Sequence, residues 1–208
     1  MLKNWVRKGA EELRIRDKAV DKVMKRARKA RILSKQAIMK VHSGEGVEAE
    51  HRLEEASSLI SKIDTIIAKY PELVRFDQVS AAKEEFSEAS IIAVLTKSGE
   101  FPDPAKLGVP MRSYLLGLGD VPGELRRQAL DALRRGDIET AEARLSTMQE
   151  IYLTLVIMEE VPLLKGLRRK LDITRGVIER TRSEVTAEVG RRRLEECMQR
   201  FTDRLGQL

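Results

Sequence analysis

The sequence predicts an all-α protein, a bundle of about six or seven long helices forming one domain over residues 1–208. Apolar residues recur every three or four positions through most of the chain, which is the spacing of one face of a helix. Charged residues make up 35% of the chain and aromatic residues 4%, a composition that favours helices with solvated faces over a β-sandwich or barrel. No shift in composition requires a second domain.

Cysteine and apolar content narrow the class of protein further. Cys197 is the only cysteine, so the chain cannot form an internal disulfide, which fits a reducing compartment. A catalytic thiol is not expected, because the two histidines, His42 and His51, lie far from Cys197 in sequence. No apolar run approaches the roughly 20 residues of a membrane span, and the N-terminus lacks the apolar core of a signal peptide. We expect a cytoplasmic protein with no membrane partner.

The first long helix is predicted from Glu11 onward. Residues 1–10 carry no clear pattern and form either a flexible end or a short helical start anchored by Trp5 and Val6. Mostly small residues then recur at near-heptad spacing: Ala19, Val23, Ala27, Ala30, Ser34, Ala37 and Val41. Such a stripe allows neighbouring helices to approach closely.

Positive charge is concentrated on this first helix. Between Arg14 and Lys40, eleven Lys and Arg residues stand against two Asp, a local charge of +9 in a chain whose net charge is +6. A concentration of this kind is the electrostatic footprint of a nucleic-acid binder. The solvated flank of a coiled coil, or a surface for membranes or acidic partners, would show the same pattern, so these readings stay open.

The next helices are separated by clear breakers. Ser43, Gly44 and Gly46 end the first helix. A second helix is predicted over 47–69 and a third over about 76–97, beginning at Phe76. Residues 98–110 contain three prolines and two glycines and are predicted to form a loop.

The C-terminal half is predicted to contain three or four further helices. Gly136 ends the stretch 114–137, and Asp137 caps a helix over 138–160. The core positions of that helix are Ala141, Leu145, Met148, Tyr152 and Leu155. Another helix follows over 163–189, and a terminal helix carries a seam of Leu194, Met198, Phe201 and Leu205. This seam packs either into the core of the bundle or against another subunit.

Two pairs of carboxylates lie at helical spacing. Glu85 and Glu88 are three residues apart on the third helix, and Asp120 and Glu124 are four apart on the stretch 114–137. One helical turn brings the two carboxylates of a pair within reach of a single cation. A helical hairpin would return the two helices side by side.

The ordinary alternative is a solvated face with ion pairs such as Glu124 with Arg127. Asp120 also fits the N-cap of a helix that begins at Val121, with Pro122 in its first turn. If the helix instead ran through Asp120, Pro122 would introduce a kink or cost about 3 kcal/mol. The sequence leaves open which of these occurs.

Several motifs resemble the translin family, and most closely its translin-associated factor X (Trax) branch. They are YLLG at 114–117, D-x-x-G-E at 120–124, G-D at 136–137 and E-aromatic-x-E-A at 85–89. Ser34, Lys35 and His42 resemble the family's S-K and later H near the end of its first helix. The resemblance covers about residues 14–152.

The resemblance implies a metal-dependent endoribonuclease that cuts single-stranded RNA inside a closed homo-oligomeric shell, an octamer, alone or with a second translin-family chain. Single-stranded DNA and short duplex RNA are alternative ligands. The implied ligands of Mg²⁺ or Mn²⁺, which are also the catalytic residues, are Glu85, Glu88, Asp120 and Glu124. The implied RNA-binding residues are Arg16, Lys22, Arg28, Arg31 and Lys35. The alternatives are a non-catalytic RNA- or DNA-binding protein of translin type and a structural adaptor.

Overall fold

The computed structural model describes residues 1–75 and 77–205. Over these residues the chain is all-α, as predicted, with eight α-helices, one 3-10 turn and no strand. The chain divides into two compact units, Met1–Gly117 and Leu118–Leu208. Among the described residues, no helix is both long enough and apolar enough to cross a membrane.

Unit 1, Met1–Gly117, is built on three long helices that pack against one another. These are α1 (Leu2–His42), α2 (Gly46–Lys69) and α3 (Asp77–Ser98), followed by the short α4 (Pro104–Leu107) and α5 (Met111–Leu118). The 3-10 turn Pro71–Arg75 links α2 to α3. All seven residues of the predicted small-residue stripe on α1 are buried, so this stripe forms the contact surface of α1.

Three predictions for unit 1 need correction or fall outside the structure. Residues 1–10, predicted as either a flexible end or a short helical start, are the first turns of the long helix α1, which begins at Leu2, and Trp5 in these turns is 64% exposed. The loop 98–110 contains one helical turn, α4. The Asp103 carboxylate caps the N-terminus of α4 by accepting a hydrogen bond from the Ala105 N–H. Phe76, the predicted start of the third helix, lies outside the described residues.

Unit 2 contains three helices that also pack against one another: α6 (Val121–Arg134), α7 (Ile138–Val156) and α8 (Leu167–Leu205). Gly136 adopts the left-handed conformation, with φ of 75°, and the N–H groups of Gly136 and Asp137 donate to the last carbonyls of α6. The Asp137 side chain then accepts from the Thr140 N–H and caps α7. Both predictions for this turn are confirmed.

Other boundaries in unit 2 differ from prediction. The helix predicted over 138–160 ends at Val156. Four of its five predicted core positions are buried, and Ile151 is buried in place of Tyr152. The two predicted C-terminal helices are one continuous helix, α8, because no breaker strong enough to end it lies between them. The seam of Leu194, Met198, Phe201 and Leu205 does not join the core of its unit and is exposed.

Candidate functional site

The acidic pair of unit 1 lies on α3 and meets the basic face of α1. The Glu85 carboxylate accepts hydrogen bonds from Nη2 of Arg31 at 2.8 Å and from Nε of the same guanidinium at 3.2 Å. The Nζ atom of Lys35 lies 3.5 Å from the same carboxylate oxygen. Because the Glu85 side chain is only 19% exposed, these charges interact in a partly desolvated setting. A predicted metal ligand and two predicted RNA-binding cations are therefore in direct contact.

The YLLG motif positions α5 against the segment of α3 that carries Glu88. A Cβ atom on Gly117 would lie 2.6 Å from the Glu84 carbonyl oxygen and 2.9 Å from the Glu88 backbone nitrogen, so only glycine allows this approach. At the other end of the motif, the Tyr114 hydroxyl donates to the Pro102 carbonyl at 2.9 Å. Burial raises the pKa of Tyr114 above its usual value, so the hydroxyl stays protonated and donates.

The acidic pair of unit 2 lies at an interruption between helices. The question left open by the sequence is answered here, because α5 ends at Leu118 and α6 begins at Val121. Pro122 is in the first turn of α6, where its missing N–H removes no helical hydrogen bond. Asp120 occupies the N-cap position, but its side chain makes no capping hydrogen bond. Glu124 follows in the first turn of α6.

Helix α8 contacts this interruption through two residues one turn apart. The Lys170 ammonium forms an ion pair with the Asp120 carboxylate. The Thr174 hydroxyl, which is buried, donates to the Gly119 carbonyl at 3.4 Å. Asp120 is therefore paired with a cation, as Glu85 is in unit 1.

The five predicted RNA-binding cations do not share one environment. Arg16 pairs with Glu12 at 2.8 Å and with Glu72 at 2.9 Å, whereas Arg31 and Lys35 pair with Glu85. Lys22 and Arg28 are exposed and have no ion partner among the residues that the structure describes.

Helical geometry divides these cations further. At about 100° per residue, Arg28, Arg31 and Lys35 lie on the same flank of α1. Lys22 lies about half a turn away from Arg31 around the helix axis. A single strand bound along one flank of α1 would therefore meet only part of the predicted set.

Comparison with known proteins now decides the family. The model of the Translin family matches residues 69–183, more than half of the chain. The chain belongs to the Translin family. The family-level resemblance predicted from the motifs at 85–89, 114–117 and 120–124 is thereby confirmed.

Solved structures similar to this Translin-family chain include members of the C3PO group. The AfC3PO–duplex RNA complex is 37% identical with a TM-score of 0.81, covering 92% of this chain and 98% of that one. The crystal structure of apo-NeC3PO is 25% identical, also with a TM-score of 0.81, covering 88% and 96%. The uncharacterized protein MJ0175 of Methanocaldococcus jannaschii is 29% identical over 194 residues, covering 92% of this chain and 86% of that protein.

The donor chemistry of this Translin-family chain suits a hard divalent cation. Each unit supplies a pair of carboxylates, and carboxylate oxygens are the ligands that Mg²⁺ and Mn²⁺ prefer. Within either unit, the described residues contain no group of three or more His, Cys, Asp or Glu side chains placed to hold a metal. A cation binding at Glu85 or at Asp120 would compete with Arg31 and Lys35 or with Lys170.

Two residues of the site were not predicted from the sequence. Lys170 lies 50 positions from Asp120, beyond the segment in which the family motifs are recognisable, and nothing in its local pattern singles it out among the many basic residues of α8, the rest of which are arginines. Thr174 is a buried residue of α8, and its hydroxyl donates to the backbone carbonyl of Gly119 in the connection between α5 and α6. Only the packing of α8 against α6 brings either residue to the interruption.

Proposed function

We propose that this chain binds RNA and cleaves it as a divalent-metal-dependent endoribonuclease, in the manner of the Trax branch of its family. The observation that carries the proposal is the contact of Glu85 with Arg31 and Lys35. It places a carboxylate suited to a metal beside cations suited to phosphate, the combination that phosphodiester hydrolysis requires. The similarity to AfC3PO, which has been solved with duplex RNA, supports RNA as the ligand.

The charge of α1 supports binding to a nucleic-acid backbone. Between Arg14 and Lys40 this helix carries a local charge of +9, whereas the rest of the chain carries a net charge of −3, so attraction for phosphates is concentrated on one element. Arg31 presents a planar guanidinium that can bind two phosphate oxygens at once, and Lys35, with its side chain 62% exposed, adds a mobile charge. We propose single-stranded RNA as the substrate, with single-stranded DNA or short duplex RNA as further ligands.

In the proposed reaction, water adds to phosphorus, the bond to one bridging oxygen breaks, and that oxygen leaves with a proton. When bound, a divalent cation would lower the pKa of the attacking water and would place positive charge beside the phosphoryl oxygens. We propose that its ligands are Glu85, Glu88, Asp120 and Glu124. One of these carboxylates takes the proton of the attacking water, and Arg31 and Lys35 hold the non-bridging phosphate oxygens.

We propose further that the protein assembles as a homo-oligomer, an octamer, alone or with a second Translin-family chain, and acts in the cytoplasm. Assembly is supported by an exposed apolar seam at coiled-coil spacing near the end of α8, formed by Leu194, Met198, Phe201 and Leu205. The start of α1 exposes Leu2, Trp5, Val6 and Leu13 in the same way. Large exposed apolar stripes mark interaction surfaces.

The test is cleavage of end-labelled single-stranded RNA with Mg²⁺ or Mn²⁺ and with a chelator. We expect internal cuts only with the metal, and loss of cutting in Glu88→Gln and in Glu124→Gln while RNA binding persists. Glu54→Gln removes the same charge from an exposed position on α2 and serves as the matched control. Cutting that survives both the chelator and the two substitutions would refute the metal-dependent mechanism.

A non-catalytic RNA-binding protein is the second candidate. It is favoured by the absence, within either unit of the described chain, of a ready group of three metal-binding side chains. In that case the pairs of Glu85 with Arg31 and of Asp120 with Lys170 serve only to stabilise helix packing. Purified protein that binds RNA but never cuts it with either metal present would establish this candidate.

A further inference from the structure

We infer that Lys170 is a phosphate-binding residue whose ammonium is held by Asp120 until a divalent cation takes that carboxylate. The inference rests on the proposed function, because it assigns RNA and a divalent cation to this chain. It adds a residue that none of the family motifs contains, and it couples the two ligands through one ion pair. Its ligand is a phosphate group of the RNA backbone.

The first observation is the position of the pair. The Lys170 and Asp120 side chains are 22% and 39% exposed, so the pair is partly desolvated yet still in contact with solvent. Partial burial strengthens the attraction between the two charges relative to a fully exposed pair. The exposed fraction gives an ion access to the Asp120 side chain and a phosphate access to the Lys170 side chain.

The second observation is that Asp120 forgoes the role its position offers. An aspartate at an N-cap ordinarily accepts a hydrogen bond from a backbone N–H in the first turn of the helix, but Asp120 makes none. Its carboxylate is directed to Lys170 instead. The Gly119–Asp120 interruption is therefore not stabilised by side-chain capping from Asp120.

The third observation is that other contacts fix the interruption. The Thr174 hydroxyl, on a residue that is 4% exposed, donates to the Gly119 carbonyl. Val121 and Pro122, the first two residues of α6, are buried. Because these contacts hold the backbone, Lys170 can exchange partners without the helices separating.

Together these observations define a linkage. A cation on the Asp120 carboxylate replaces the Lys170 ammonium, which is then a partly buried positive charge without its counterion. A phosphate restores the balance. Thermodynamic linkage requires that the cation tighten RNA binding and that RNA tighten cation binding by the same factor, about fivefold or more for a coupling of ordinary size.

The experiment is done without metal, so that neither cleavage nor the metal site enters the measurement. Binding of fluorescent single-stranded RNA is followed by anisotropy over a salt series for the wild type, Lys170→Met, Asp120→Asn and the double variant. We expect Lys170→Met to bind like the wild type. We expect Asp120→Asn to bind about fivefold more tightly, with a salt slope steeper by about 0.7, because one more phosphate is neutralised. The double variant loses this gain.

The matched control is the pair of Asp131 and Arg134 on α6, which are 3.4 Å apart and in the same unit. Asp131→Asn measures the general effect of removing one acidic charge, and Asp131→Asn with Arg134→Met repeats the double substitution. A gain in Asp120→Asn no larger than in Asp131→Asn, or a gain that persists in the Asp120→Asn, Lys170→Met double variant, would overturn the inference. Absence of cleavage by the wild type would refute the nuclease while leaving this binding result intact.

A second measurement covers the case in which Asp120→Asn does not fold. Lys170→Met and Lys170→Arg are compared with the wild type for RNA binding with Ca²⁺ present, a cation that takes the same oxygen ligands, and gel analysis checks that the RNA stays intact. We expect Lys170→Met to lose the tightening by metal and Lys170→Arg to retain it. Equal tightening in all three proteins would contradict the release of Lys170.

Discussion

Gly117 of α5 lies so close to Ser87 of α3 that a Cβ atom on Gly117 would be 2.8 Å from the Ser87 Cβ. The Ser87 hydroxyl is turned back to its own helix, where it donates to the Lys83 carbonyl at 2.8 Å. A small residue on each helix therefore permits backbone-to-backbone packing directly beside Glu88. The last residue of the YLLG motif is explained by this contact.

The first prediction concerns this contact. Gly117→Ala should destabilise the protein by about 1–3 kcal/mol, because the added methyl group meets backbone atoms of α3 that cannot move independently. Gly123→Ala is the matched control, since nothing lies within 4 Å of the added Cβ and alanine favours the helix. Urea denaturation of both variants measures the difference. A Gly117→Ala protein as stable as Gly123→Ala would show that α5 can shift freely.

The second prediction separates the two flanks of α1. Lys35→Met should weaken RNA binding and make the salt slope shallower by about 0.7, because Lys35 lies on the flank that contacts Glu85. Lys22→Met changes the same type of exposed residue on the opposite flank and should have the smaller effect. Anisotropy titrations over a salt series measure both. Equal losses would mean that the RNA contacts both flanks.

The third prediction concerns Tyr114. Tyr114→Phe should lower the free energy of unfolding by about 1 kcal/mol, because the Pro102 carbonyl loses the hydroxyl that donates to it. Tyr152→Phe serves as the comparison, since the described residues provide no hydrogen-bond partner for that hydroxyl. Denaturation curves for the two variants should differ. If they coincide, the hydroxyl of Tyr114 contributes no stability.

The fourth prediction concerns the pH dependence of the α7 cap. The hydroxyl and the N–H of Thr140 donate to the Asp137 carboxylate and lower its pKa below the ordinary value. A lowered pKa in the folded state means that the stabilisation is present above the unfolded pKa and is lost as pH falls through the folded pKa. Asp137→Ala should therefore melt at a lower temperature than wild type at neutral pH.

Thermal melts across a pH series check this prediction. The difference between Asp137→Ala and wild type should shrink as the pH falls below the ordinary aspartate range, because the wild-type carboxyl then becomes protonated. Asp137→Asn retains an oxygen acceptor and should lie between the two proteins at neutral pH. A difference that is constant at every pH would show that the charge of Asp137 does not matter.

Local rules predicted much of this fold. The buried stripe of α1 from Ala19 to Val41 follows from spacing alone, and the turn at Gly136 and Asp137 follows from the chemistry of helix ends. The interruption before Val121 could not be predicted, because Pro122 is compatible both with the first turn of a new helix and with a kink in a continuous one.

The sites depend more on long-range packing than on local pattern. Asp120 and Glu85 could be selected by spacing and family motif, but their cationic partners could not. The contact with Lys170 joins residues far apart in sequence, and the contact with Arg31 requires the crossing of α1 and α3. The predicted set of RNA-binding residues on α1 includes both Lys22 and Arg31. Helical geometry places these two side chains on opposite flanks of the helix.

The final turns of α8 have a consequence for experiment. Every residue from 191 to 205 is exposed, so the peptide hydrogen bonds of these turns are protected by nothing outside the helix itself. Such a segment opens at almost no cost in free energy, and its amides should take up deuterium within the shortest labelling times. If deuterium uptake at these amides alone becomes slower as the protein concentration rises, the change would report the concentration at which another surface covers this segment.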